Sequence, residues 1–377
     1  MAVDSPAPVS TAIAPVSVER IRSIIAELAA DDFKGRRIGT PDGLRAADRV
    51  ASWMGQAGLR PVGPAGFQLR FTSGRLNGVN VVGMREGTDP GLKDEVVVIC
   101  AHHDHIGIND RGVNNGADDN ASGVAALIEV AHAIRKLRLR RTVVFASFDG
   151  EETGLVGSQA FVKAGPFDPK SFAALICMDL VGGDFYPGDS RGLYALGAES
   201  GRSLRDLVVA EAARESDLEV RPLGIYAIEP MGPLIPRSDY ASFRSAEVPF
   251  VFFSTGTPWY YHTPHDDPER INLDKLRSNV GFIARVLAAL ADAPVRPGFV
   301  RSPPLPNGDA EGFAGQMEKI LGNPGLRIEP AERDRLGAAV AELRKLSGSD
   351  ADAKVKGLIQ RSIVALLGII QRSRPEK

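Results

Sequence analysis

His102, Asp119, Glu151, Glu152, Asp179 and His262 stand where apolar runs end or helical patterns begin. Imidazole nitrogen together with Asp and Glu oxygen is a donor set for Zn2+. The set exceeds what one tetrahedral ion takes. It suits two ions that share a carboxylate, with a further carboxylate left to act as a base in hydrolysis. Each residue also has an ordinary reading. Asp118, Asp119, Glu151 and Glu152 open helices, where acids favour the macrodipole. A histidine in a loop, such as His262, is ordinarily a surface residue. Asp179 differs, because a carboxylate closing the run ALICM needs a partner if it is buried. What favours a site is that all of them converge on one sheet edge.

The elements that must bring them there can be read from the pattern. Residues 96–101 are apolar enough for a strand buried on both faces, and they run straight into His102. After a Gly- and Asn-rich loop, Val124, Leu127, Ile128, Ala131 and Ile134 recur at helical spacing over 121–137. Residues 141–148 form a second buried strand ending in Asp149-Gly150-Glu151-Glu152, and a helix follows from Leu155 to Lys163. Residues 173–178 form a third strand ending on Asp179, and 248–254 a further one, before the loop that holds His262. Short strands are expected at 67–72, 79–85 and 192–197, and helices from Ser17, after Thr40-Pro41, over 201–216 and over 272–292. This alternation predicts an α/β three-layer sandwich, with a mixed, mostly parallel sheet covered by helices on both faces. Ligands bind at the carboxyl edge of such sheets.

The chain has 377 residues, 44% hydrophobic and 24% charged, with a formal net charge of −2. That supports a sizeable core. Without a basic stripe carrying interleaved aromatics, nucleic acid is not an expected partner. No apolar run is long enough for a transmembrane segment. Cys100 and Cys177 lie in apolar runs and read as buried reduced thiols. Residues 1–16 are rich in Pro, Ala and Ser, lack periodicity and read as a disordered tail. They have neither the charged start nor the apolar stretch of a signal peptide. Either the protein is cytosolic or the sequence begins after a removed leader. A low-complexity start suits the second case, so export to the periplasm or medium is the expectation.

The motifs AHHDHIG, GADDNASG, FDGEETGLVGS, MDLVG, RSDY and YHTPHD, in this order, resemble the co-catalytic two-zinc aminopeptidases of bacteria, whose relatives include glutamate carboxypeptidase and glutaminyl cyclase. The resemblance covers about 20–292. It implies two Zn2+ per chain, with His102 and Asp179 ending one site, Glu152 and His262 the other, and Asp119 bridging. It implies Glu151 as general base, Asp104 as the residue orienting His102, Tyr261 as a donor to the oxyanion, and Arg237 near the substrate. It also implies a cis peptide bond after Asp119. The family scheme does not need His103, His105 and His265, which read as rim or solvated residues, and Tyr240 should not touch the metals.

The function expected from this resemblance is a zinc-dependent exopeptidase that removes N-terminal residues from a peptide or aminoacyl substrate. A carboxypeptidase or amidohydrolase on the same scaffold, and an inactive binding module, stay open at the level of sequence. The expected division is a catalytic domain at 17–292, a proline-rich linker at 293–308 and a helical extension at 309–377 outside the resemblance. The extension has helical segments at about 309–321, 331–346 and 351–372. The apolar stripe of the last must be covered within the chain or by a second subunit, giving a homo-oligomer.

Overall fold

The apolar runs form the middle of a nine-stranded mixed sheet among the described residues of the computed structural model, which are 13–228, 238–306, 308–348 and 352–373. The strands in chain order are β1 (Arg60–Pro61), β2 (Gln68–Ser73), β3 (Leu76–Arg85), β4 (Val96–His102), a small separate hairpin of β5 (Ile108–Asn109) and β6 (Gly112–Val113), β7 (Thr142–Phe148), β8 (Phe172–Met178), β9 (Gly192–Leu196), β10 (Glu219–Leu223) and β11 (Phe250–Ser254). Their spatial order is β1, β3, β7, β4, β8, β11, β9, β10, with β2 also paired to β3. The four central strands β7, β4, β8 and β11 run parallel. β3 and β9 flank them antiparallel. Every residue of β4, β7, β8 and β11 is buried, so these strands carry no polar alternation.

Helices cover both faces. On one lie α1 (Val18–Leu28), α2 (Pro41–Gln56), α3 (Gly123–Ala133), α5 (Leu204–Ala212) and α7 (Leu273–Asp292). On the other lie α4 (Val156–Ala164), α6 (Tyr240–Ser245) and the C-terminal α8 (Asp309–Leu321), α9 (Pro330–Leu346) and α10 (Asp352–Arg372). The last three are not held off on a tether. Phe313, Met317, Leu343, Ile359 and Leu366 share one continuous core with Cys100, Cys177, Phe250 and Phe252 of the sheet. Cys100 and Cys177 are buried free thiols in register on neighbouring strands. No helix among the described residues is long and apolar enough to cross a membrane.

The connections set where chemistry can occur. From β4 the chain passes through α3 to β7 on one side, then crosses back through α4 to β8 on the other. The connections leaving β4 and β8 therefore diverge, which opens a crevice at their carboxyl ends. His102 ends β4 and Asp179 follows β8, so the two flank that crevice.

Candidate active site

The structure brings His102, Asp119, Glu151, Glu152, Asp179 and His262 together at this edge. Asp119 sits centrally. Its Oδ1 lies 3.4 Å from His102 Nε2, and its Oδ2 lies 3.1 Å from His262 Nε2. On the first side, His102 Nε2 is also 3.4 Å from Asp179 Oδ1. On the second, His262 Nε2 is 3.0 Å from Glu152 Oε2. Two donor clusters result: His102 with Glu151 and Asp179, and His105 with Asp119, Glu152 and His262.

The backbone and buried polar groups explain why Asp119 stands there. Asp266 accepts the backbone N–H of Asp118 and Asp119 at 2.8 and 3.0 Å. The Asn120 side chain donates to the Met178 carbonyl at 2.9 Å and accepts from Gly123 N at 3.0 Å, tying the loop to the end of β8. Asp118 faces away from the cluster, accepting from Gly182, Gly183 and the Tyr260 hydroxyl. The Asp119–Asn120 peptide bond is cis, as the resemblance implies.

Glu151 and Glu152 occupy a tight turn that begins at Gly150, with φ of 75°. A Cβ at Gly150 would lie 2.5 Å from Val156 Cγ2 and 2.6 Å from Ile38 Cδ1, so both conformation and space demand glycine. Asp104 accepts the N–H of Glu151 at 3.1 Å and of Glu152 at 3.4 Å. His102 Nδ1 lies 3.2 Å from the Asp104 backbone carbonyl and 3.6 Å from its carboxylate. An N–H at Nδ1 donating to that carbonyl leaves the Nε2 lone pair facing Asp119 and Asp179.

Two histidines depart from the sequence reading. His105 is fully buried, not a rim residue, and its Nδ1 lies 2.7 Å from Glu152 Oε1. His103 is also fully buried, with Nδ1 3.0 Å from the Ser147 hydroxyl. The cause in both cases is the loop 103–116 folding back over the sheet edge, held by Arg36. That guanidinium is completely buried and donates to the carbonyls of Leu28, His103, Asn115 and Gly116. His265 is exposed, as read. Tyr240 stacks on Phe250 in the core, with centroids 4.9 Å apart. Tyr261 stacks on the His262 ring at 3.8 Å. Arg237 lies outside the described residues.

Electrostatics make this a place for cations. Burial opposes charge on His102, yet Asp179 and Glu151 outweigh it and hold its pKa well above the usual value. His262 is raised to about 10, because contacts with Asp119 and Glu152 exceed the effect of burial. Burial, reinforced by Asp179 and Asp239, pushes Glu151 well above the carboxylate range. Glu152 is lowered despite burial by its contacts with His105 and His262. Nε2 of His102 and of His262 and Oδ1 of Asp179 are buried without a hydrogen-bond partner among the described residues. Buried polar atoms ordinarily find partners, and a divalent cation between these donors would supply them.

Residues 80–287 match peptidase family M28. The chain belongs to that family. Among curated relatives, a probable leucine aminopeptidase of Trichophyton verrucosum is 29% identical over 158 residues, an alignment that spans 40% of this M28 chain and 40% of that protein. This chain therefore matches less than half the length of that relative. A zinc aminopeptidase from Bacillus subtilis has a similar fold, with TM-score 0.58, 15% identity, and coverage of 76% of this chain and 99% of that one. So does a glutaminyl cyclase of Porphyromonas gingivalis, at TM-score 0.56 and 16% identity, covering 72% and 98% respectively. The M28 match includes the donor residues but neither Arg36 nor α8–α10.

Sequence reasoning missed Arg36, His105, Asp266 and Tyr260 as parts of this site. Two of them carried a signal. His105 sits one residue beyond Asp104 in the same motif, and Asp266 closes the motif that contains His262.

Proposed function

We propose that this M28 chain is a zinc-dependent exopeptidase that removes N-terminal residues from peptides. The observation that carries the reading is the division of Asp119, one oxygen toward each of the imidazoles His102 and His262. His102 and Asp179 would hold one zinc ion, Glu152 and His262 a second, and Asp119 both. Bound there, zinc supplies Lewis acidity, lowering the pKa of water and polarising a carbonyl.

The chain's own groups do the rest. Glu151 is the carboxylate left over; it takes the proton of the attacking water and returns it to the departing amine. Asp104 fixes the turn that aims Glu151 and Glu152 in different directions. Glu152 is held at Oε1 by His105, which leaves Oε2 facing His262 Nε2 at 3.0 Å. The Tyr261 hydroxyl is kept protonated by burial and by nearby Asp119 and Glu152, so it stays a donor at neutral pH and can stabilise the oxyanion.

The test is hydrolysis of aminoacyl anilides compared with N-blocked peptides and with C-terminal substrates, alongside metal analysis. Cleavage confined to free N-termini, with two zinc ions per chain, is the expected result. Cleavage of the C-terminal set alone would overturn the aminopeptidase reading.

A further inference from the structure

An apolar cavity of about 110 Å3 begins at Leu180, the residue after Asp179, and residues outside the family match form one of its walls. Leu180, Phe252 and Thr257 line it from the sheet edge; Phe313 of α8 and Ile363 and Leu367 of α10 line it from the opposite side. Among the described residues its lining contains no charged side chain. We propose that this cavity receives the apolar side chain of the substrate's N-terminal residue, so that α8 and α10 set the specificity of a reaction whose chemistry lies wholly on the sheet. This rests on the aminopeptidase reading above.

Three relationships support it. Strand side chains alternate between faces. His102 therefore falls on the same side of the sheet as Val98 and Cys100, which is the face that α8–α10 cover. Asp179 continues the β8 ladder, its N–H donating to the Phe253 carbonyl at 3.2 Å. It falls on that face with Leu175 and Cys177.

Next, the cavity wall begins one residue after a donor. Leu180 follows Asp179, a Cα step of about 3.8 Å. It has a positive φ of 54°, and its carbonyl accepts from both the backbone N–H and the hydroxyl of Thr255 at 2.7 and 2.8 Å. That anchoring fixes the Leu180 side chain in the cavity while Asp179 faces His102. A substrate carbonyl between the two donor clusters would therefore carry its own side chain toward this cavity.

Finally, α10 is fastened to the rim of the site. The Gln371 amide donates to the Pro258 carbonyl at 3.3 Å, in the loop that runs from Thr257 to His262. Ile363 and Leu367, four residues apart on one helical face, are only half buried. A hydrocarbon side chain entering between them and Phe252 would complete their burial. A charged one would lose its hydration with no oppositely charged partner among the described lining residues.

The experiment uses the full zinc-loaded chain and its Ile363→Trp and Phe313→Ala variants, with p-nitroanilides of Leu, Phe, Ala and Lys. The wild type is expected to favour Leu over Ala and over Lys by kcat/KM. Ile363→Trp should reduce the Leu-to-Ala ratio by at least about 10-fold, the scale of a filled apolar pocket. Phe313→Ala should move the preference toward Phe. As a readout independent of turnover, free L-leucine should raise the thermal midpoint of the wild type more than L-alanine does, and this difference should vanish in Ile363→Trp. If Ile363→Trp fails to fold or to hold zinc, the Phe313→Ala variant decides. Unchanged preference in active, zinc-loaded variants overturns the cavity assignment alone. A wild type that cleaves C-terminal substrates and no anilide overturns the aminopeptidase reading, and this assignment with it.

Discussion

The backbone N–H of Glu151 donates to the carboxylate of Asp104 at 3.1 Å. Asp104 thus does more than orient a histidine: its carbonyl faces His102 and its carboxylate pins the Glu151–Glu152 turn. In Asp104→Asn one acceptor oxygen becomes a donor that opposes those N–H groups. The expected outcome is a loss in kcat/KM or metal affinity of about 10–100-fold, the usual cost of disturbing such supporting contacts. Steady-state kinetics together with a zinc titration would measure both.

Replacing Glu151 by Gln keeps the side chain's shape and removes the base. Turnover should fall by at least about 10²-fold with both zinc ions retained. Near-normal kcat would remove Glu151 from its proposed role, and loss of zinc would indicate that Glu151 and Glu152 have exchanged roles.

His105 holds the Glu152 oxygen opposite to the one that meets His262. His105→Ala should weaken retention of one zinc ion by about 10–100-fold while the other stays bound. Dialysis against graded chelator, followed by counting zinc per chain, distinguishes one weakened ion from two. Equal retention of both would leave His105 a packing residue.

Chelation should destabilise the fold. The donors of this site come from the ends of β4 and β8, from the turn before α3 and from the loops after β7 and β11, so a cation joins segments that are distant in sequence. Binding to the native state alone, at 100 times Kd, is worth about 2.7 kcal/mol per site. The thermal midpoint should drop on adding chelator and recover on adding zinc. A midpoint indifferent to chelator would count against metal binding here.

Leu343 of α9 is completely buried in the core shared with the sheet. Leu343→Ala should cost about 2–5 kcal/mol, read by chemical denaturation. Zinc content of the folded variant should be unchanged, because no donor lies on α9.

The central strands were legible because each is an unbroken apolar run, which loops and amphipathic helices do not produce. Of the candidate donors, His102 and Asp179 close such runs, while Asp119 opens a helical pattern and His262 lies in a loop. Burial of single histidines was not. His103, His105 and His265 look alike in sequence, and only the return of loop 103–116 over the edge separates the first two from the third. That return depends on Arg36, far away in a segment that reads as plain scaffold. β10 was also unread: it holds Pro222 and, among the described residues, pairs only with β9, the kind of edge position where proline is tolerated but apolar patterning fades.

The packing of α8–α10 on the sheet has a consequence for how the chain is made. The ribosome finishes all nine strands before residue 309 is added, yet one face of that sheet has much of its cover encoded after that point. At roughly 5–20 residues per second, Phe250, Phe252 and their neighbours await those helices for several seconds. During that interval a nascent chain presents bare aromatic surface. A cell producing this protein must therefore either shield that surface with chaperones or keep translation of the final segment fast.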